Sequence, residues 1–257
     1  MDKASRKTFP FQYSPGKKLF HIVVKMSDAP GSYSAILNLL GSKVNLIGTT
    51  TYTLSDGTAI FSGFSESLDD TQTASGLKKV IMSSKAAKDA EVGEGHDGLL
   101  VDTFHIGLEV GGDPFMLFRR EGLSHMFDHV VKILGSGGEA LLFEEGKDLG
   151  RRNAHRMHDL IGKKRARDEA EYLSSYIGAQ GWGRVTPAEG ELKAGSNIQL
   201  EDCFECTGDM MYRKGCNFMR GYFTGSIEET YDMEVDVKET QCVSKGAKAC
   251  EFTVTPQ

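Results

Sequence analysis

The chain has 257 residues, enough for one large domain or two ordinary ones, and its 39% hydrophobic and 26% charged content is that of a compact globular protein, with no collagen-like, disordered or coiled-coil bias. Thirty basic residues against 36 acidic ones give a net charge of -6, which offers no electrostatic footprint for DNA, RNA or anionic lipid; neither nucleic acid nor membrane is expected as a partner. The first 18 residues lack the apolar core of a secretory signal and no later run of about 18 apolar residues occurs, so the expected location is the cytoplasm.

After an N-terminal tail over residues 1–16, the apolar run from Leu19 to Met26 reads as a buried strand ended by the turn Asp28-Ala29-Pro30-Gly31. Tyr33, Ile36, Leu37 and Leu40 then recur at helical spacing, with Gly41 as the stop. Val44–Leu54 and Thr58–Phe64 read as two strands joined by a hairpin at Asp56-Gly57, and Leu77, Val80 and Ile81 mark a second helix. The order strand, helix, strand, strand, helix predicts an antiparallel sheet covered by two helices, with a last strand between Ala90 and Val110. Ala90–Gly98 has no apolar period and reads as a linker, which puts a domain boundary near residue 98.

Leu123, Met126, Phe127, Val130, Val131 and Leu134 define an amphipathic helix that Gly135-Ser136-Gly137-Gly138 is expected to end. Weaker helical patterns follow at Glu139–Asp148, Arg151–Ile161 and Arg167–Ile177. Strands are then expected at Trp182–Val185 and Ser196–Phe204, a helix with Met219, Tyr222, Phe223, Ser226 and Ile227 on one face, and two closing strands, Met233–Gln241 and Cys250–Val254. Lys163-Lys164-Arg165 reads as a solvated loop, and the acid pairs Glu144-Glu145 and Glu228-Glu229 as solvated faces.

All five cysteines, Cys203, Cys206, Cys216, Cys242 and Cys250, fall after residue 200. An odd number of them in a reducing compartment favours thiolate ligands over disulfides. Glu239 is in phase with Met233, Val235 and Val237, and Cys250 with Phe252 and Val254, so both point inward; Cys242 begins the intervening turn and Cys216 the preceding helix. Three thiolates and a carboxylate suit a closed, tetrahedral, structural Zn2+ site, with Arg220 as a balancing cation one helical turn beyond Cys216. Buried free thiols are the plain alternative. A four-cysteine set of Cys203, Cys206, Cys242 and Cys250, or a redox role for Cys203-x-x-Cys206, is set aside here because a predicted strand through Cys203 would splay its neighbours.

Two resemblances follow from these residues. Asp28, Pro30, Gly31 and Val44-Asn45-Leu46 make residues 17–97 resemble an ACT domain; this implies a ferredoxin-like fold, side-by-side pairing and an amino-acid effector near Gly31, Ser32 and Asn45. The segments Cys216–Glu229, Glu239-Thr240-Gln241-Cys242 and Gly246–Phe252, together with Gly135–Gly138 and Gly146-Lys147-Asp148-Leu149-Gly150, make residues 98–257 resemble the 4-vinyl-reductase (4VR) domain. That resemblance implies a dimeric mixed α/β domain related to vesicle-tethering subunits, zinc on Cys216, Glu239, Cys242 and Cys250, and a cavity for a hydrophobic or aromatic ligand. Trp182, flanked by Gly181 and Gly183, with His155, His158 and Tyr222, are the candidate ligand contacts; core packing for Trp182 and a solvated basic helix for the histidines are the alternative. The sequence thus predicts an α+β, two-domain, non-catalytic sensor that forms a homodimer and signals through an unidentified protein partner. The competing reading, suggested by the family name alone, is an enzyme or accessory protein in tetrapyrrole vinyl-group reduction. No P-loop, dinucleotide fingerprint, nucleophile elbow or zinc-protease helix motif is present.

Overall fold

A strand whose side chains are almost all buried, Leu19–Ser27, organises the first part of the chain. The computed structural model describes residues 10–110, 112–161, 166–186, 196–208 and 210–257, and the chain divides into two compact units, Met1–Met116 and Leu117–Gln257. In the first unit β1 (Phe11–Tyr13), β2 (Leu19–Ser27), α1 (Ser32–Leu40), β3 (Val44–Thr53), β4 (Thr58–Ser67), α2 (Ala74–Met82) and β5 (Ala87–Glu94) follow one another. β2 to β5 form an antiparallel sheet in the order β3-β4-β2-β5. With the two helices this is the βαββαβ arrangement. Phe20, Ile22, Val24 and Met26 of β2 and Phe61 of β4 pack with Ile36, Leu40, Leu77 and Ile81 of the helices.

Gly31 precedes α1 in the left-handed region, at φ 88°, where a side chain is strained. The Ser32 amide donates to the Ala29 carbonyl at 3.1 Å, which closes the turn. Gly31 and Ser32 stand at the start of α1 and exposed Asn45 lies just past its end in β3, so nine helical residues, about 13 Å, separate the two sites within one chain.

The linker expected over Ala90–Gly98 is largely strand. β5 pairs with β2 from Phe20↔Glu94 to Met26↔Ala87. Its exposed face is polar, and the apolar period is correspondingly faint, with Ala90 alone fully buried. The continuous strand expected from Leu99 to Val110 is instead β6 (Leu99–Val101) and β7 (Leu108–Val110). β6 pairs with β1, which draws part of the expected tail into the first unit, and β7 pairs with β8 (Asp113–Phe115). The division accordingly falls after Met116, not near residue 98.

The second unit contains α3 (Arg120–Leu134), α4 (Ser136–Ile161), α5 (Ala166–Ala179), β9 (Arg184–Thr186), β10 (Ser196–Glu201), α6 (Asn217–Tyr231), β11 (Val235–Gln241) and β12 (Cys250–Pro256). Its antiparallel sheet runs in the order β11-β12-β10-β9. Gly135 does end α3, but Ser136-Gly137-Gly138 is the first turn of α4, and the two helices expected over Glu139–Ile161 are one. Lys163-Lys164-Arg165 lies outside the described residues. Among the described residues no helix is long and apolar enough to cross a membrane.

α4 and α6 touch through their backbones. A Cβ on Gly221 would lie 1.9 Å from the Phe143 carbonyl oxygen and one on Gly225 1.9 Å from that of Lys147; on the facing helix, Gly146 and Gly150 would meet the Phe218 and Tyr222 carbonyls at 2.1 and 2.2 Å. Only glycine permits this approach, and it sets weak Cα–H donors against carbonyls. Around it the Ser226 hydroxyl donates to the Gly150 carbonyl at 3.2 Å, and Lys147 and Arg151 both pair with Glu228. Glu228 is thus an inter-helix ion-pair partner and not a solvated acid. Either Gly221→Ala or Gly225→Ala should destabilise the protein by about 3 kcal/mol in urea unfolding, whereas Gly137→Ala, with no neighbour within 4 Å, should stabilise it by up to about 1 kcal/mol. Equal midpoints for all three would show that the helices separate without cost.

Candidate metal centre

The sheet and α6 bring one thiol from each of several elements to a common point. Cys216 is the residue that caps α6, Cys242 follows β11, and Cys250 begins β12. Glu239 and Cys242 are three apart, a spacing that in a regular strand sends side chains to opposite faces. A bulge between Glu239 and Gln241 inserts an extra residue and returns both to one side. Gly246, at φ 91°, closes the turn that follows, in which the Val243 amide donates to Cys250 Sγ at 3.5 Å and Ser244 Oγ lies 3.0 Å from Cys242 Sγ.

Cys203 and Cys206 also reach this point. β10 stops at Glu201, and Asp202, with φ 52°, turns the chain so that Phe204–Cys206 forms a single 3-10 turn. The strand expected through Cys203 therefore does not exist, and the ground for setting these two cysteines aside fails. Cys206 Sγ lies 3.1 Å from Cys216 Sγ and 3.5 Å from both Cys242 and Cys250 Sγ. The remaining separations are 3.8 Å for Cys216–Cys242, 3.6 Å for Cys216–Cys250 and 3.9 Å for Cys242–Cys250. Four sulfurs around one zinc ion, each at about 2.3 Å, stand about 3.8 Å apart. These four thus trace a slightly compressed tetrahedron of the size that a single thiolate-bound ion requires. Cys203 Sγ adds a fifth sulfur, 3.8 Å from Cys216 Sγ.

Ligand-like groups overlap in two sets, Cys203, Cys206, Cys216 and Cys250, and the expected Cys216, Glu239, Cys242 and Cys250. Such a cluster of cysteines can hold a metal ion and is compatible with zinc. Glu239 Oε1 accepts from the Cys216 amide at 3.1 Å, and its carboxylate lies against Gly215, where a Cβ would be 2.1 Å from Oε2. Crowding divides the protons unequally: S–H donors on Cys203, Cys216 and Cys242 draw the Cys206 thiol down to about 5, while that network pushes Cys216 well up and Cys250 up to about 12. A cation at the centre would replace those protons.

The buried charge next to the thiols is not the one expected. The Arg220 guanidinium lies over the Phe143 ring, 4.5 Å from its centroid, packing α6 on α4. Glu205 and Arg213, both with fully buried side chains, form an ion pair at 3.2 Å. The Glu205 carboxylate also accepts from the Phe218 and Met219 amides at 3.2 and 3.0 Å, at the positive end of α6. Arg213 donates to the Ser124 carbonyl and hydroxyl and to the Glu205 carbonyl, tying α3 to the same place. A lone Glu inside Cys-x-Glu-Cys gave no periodic signal to mark it as buried.

A family model for the 4VR domain matches residues 197–256, which span β10 to β12 and contain all five cysteines and Glu239. An uncharacterised protein of Methanocaldococcus jannaschii is 30% identical over 135 residues, 48% of this chain and 68% of that protein. The chain belongs to the 4VR-domain family. A second uncharacterised protein of the same organism is 26% identical over 130 residues, 50% of this chain and 71% of the relative. In fold, the 4VR unit is similar to the phenol-responsive sensory domain of the transcription activator PoxR, solved with phenol, at a TM-score of 0.51 and 19% identity, covering 58% of this chain and 79% of that one.

In the 4VR domain of this chain Trp182 and Tyr222 come together, with ring centroids 5.2 Å apart; Phe204 and Phe218 stand 5.7 and 6.0 Å from Trp182. The fully buried Tyr222 hydroxyl accepts from Asn153 at 3.2 Å, and burial pushes its pKa up to about 12. His155 is not part of this group. It is exposed on α4, 3.0 Å from Glu229, in an open cleft of about 380 Å³ with Arg151, Arg152, Arg156 and Asp159. His158 is half-buried further along the same helix.

Removing Glu205 strands a buried guanidinium and two helix amides. Glu205→Ala should cost about 3–5 kcal/mol, measured by urea unfolding, and Glu205→Gln less, because the amide oxygen still accepts. Burial raises the Glu205 pKa from 4.5 to about 7. The folded state therefore binds a proton more tightly than the unfolded one, and wild-type stability should fall as pH rises from about 4.5 to 7. Glu205→Gln should remove that slope; an unchanged slope would assign it to other groups.

Proposed function

We propose that the 4VR domain is a non-catalytic receptor for a small aromatic or hydrophobic molecule, held in shape by a structural zinc ion. The observation that carries this reading is the joint role of α6: its first turn carries Cys216, while Phe218 and Tyr222, within the next two turns, meet Trp182 in an aromatic cluster. A ligand inserted among these rings would bear directly on the helix whose start is tied to the thiols. The similarity in fold to a sensory domain that takes phenol supports an aromatic ligand. Cys216, Cys242 and Cys250 are the shared zinc ligands. Glu239 was the fourth donor expected from sequence; the sulfur tetrahedron favours Cys206, leaving Glu239 to anchor the Cys216 amide. Signalling as a cytoplasmic homodimer through a protein partner completes the reading. An amino-acid effector touching Gly31, Ser32 and Asn45 together would need two copies of the chain, since one chain holds them at opposite ends of α1.

Trp182 is the only tryptophan, so its emission reports on this cluster alone. Titration with phenol and its alkyl derivatives should give a saturable change that Tyr222→Ala abolishes; no response to any of these compounds would overturn the aromatic-receptor reading. Elemental analysis should find about one zinc per chain, lost together with thermal stability in Cys242→Ser. Zinc affinity should fall by about 10–100-fold in Glu239→Gln if that carboxylate only supports a ligand, and by more in Cys206→Ser. The reverse ranking would return Glu239 to the fourth position.

A further inference from the structure

The first unit holds a buried histidine that the zinc site and the receptor reading leave unexplained. His21, in the middle strand β2, is 1% exposed. Its Nε2 lies 2.9 Å from Ser62 Oγ on β4, while its Nδ1 is buried without a hydrogen-bond partner. The group nearest to that nitrogen in charge is a carboxylate: Asp102 Oδ1, 3.5 Å away. Asp102 follows β6, and its Oδ1 accepts from the Phe104 and His105 amides at 2.9 and 3.0 Å. That tight turn brings His105 Nδ1 to 2.8 Å from Asp102 Oδ2. Ligand atoms of His21, Asp102 and His105 consequently all lie within 4.8 Å of one another.

A neutral imidazole has one N–H and one lone pair. With Nε2–H donated to the Ser62 hydroxyl, the lone pair sits on Nδ1 and points towards a carboxylate oxygen, an arrangement of two electron-rich groups that only a positive centre between them reconciles. A ring nitrogen oriented by a hydrogen bond from its opposite N–H is also how metal-binding histidines are usually held. Phe64 and Phe104 wall the ring, with centroids 4.5 and 5.2 Å from that of His21, while the Asp102 and His105 side chains are 18% and 28% exposed and leave a way in for an ion.

We propose that His21 Nδ1, Asp102 and His105 form a second metal site, for a divalent transition-metal ion of the zinc, cobalt or nickel type, with the remaining coordination positions open to water. Two imidazoles and a carboxylate favour these ions over calcium or magnesium, which prefer all-oxygen shells. The site lies in a different unit from the cysteines and is independent of what the 4VR domain binds.

The test uses the full chain. The cysteine centre is first loaded with Zn2+, excess metal is removed, and Co2+ is titrated in by calorimetry and absorption. One further equivalent of Co2+ should bind, with a visible d–d spectrum free of thiolate-to-metal charge transfer. His105→Ala and Asp102→Ala, both at part-exposed positions, should each weaken it at least ten-fold while keeping the wild-type zinc content and circular dichroism. No additional equivalent in wild type, a thiolate charge-transfer band on the added cobalt, or wild-type affinity in both variants would each overturn the proposal.

Discussion

Where two helices meet at their backbones, small changes in side-chain size become changes in helix position. Gly146 and Gly150 on α4 and Gly221 and Gly225 on α6 place each helix's carbonyl oxygens where the other's Cβ atoms would be. The position of α6 follows from this contact, and α6 delivers both the first thiol, Cys216, and the aromatic residues Phe218 and Tyr222. Lys147 and Arg151 around Glu228 add ion pairs across the seam. These are partly exposed and therefore of minor energetic weight beside the exclusion of a methyl group.

The second constraint is the treatment of charge beneath α6. Glu205 accepts two of the amides at the helix start and neutralises Arg213 in a fully buried pair. Buried pairs of this kind add little net stability compared with apolar packing but are costly to break. Here the pair spans α3, the turn bearing Cys206 and the start of α6, so it holds two sulfur-bearing segments in register. Glu239 acts on the same helix start by accepting the Cys216 amide. The thiols consequently converge through a frame of amides and carboxylates, and the sulfur separations already match what one tetrahedral ion needs.

The two units use histidine and cysteine in different ways. In the 4VR domain sulfurs crowd a closed point, the pattern of a structural site. In the first unit two imidazoles and one carboxylate meet at the margin of the βαββαβ sheet, with one nitrogen buried and the other groups part-exposed. Only His21 is deep, because β2 is the central strand and both its neighbours cover it.

Much was legible from periodicity. The apolar spacing of Ile36, Leu40, Leu77 and Ile81, the hairpin at Asp56-Gly57, and the inward phase of Glu239 and Cys250 all depend on local geometry that a sequence carries. The family, too, was readable from the cysteine and glycine spacing after Cys216. What the sequence did not contain were relations between distant segments. β5 was hidden because its exposed face is polar, and the pairing of β1 with β6 because a three-residue strand has no period of its own. Cys206 was missed because one residue with positive φ, Asp202, ends a strand that composition alone would have continued. Glu205, His21 and Asp102 acquire their roles only from the partners that folding brings to them, since burial and a nearby charge, not residue type, decide what an ionisable side chain does.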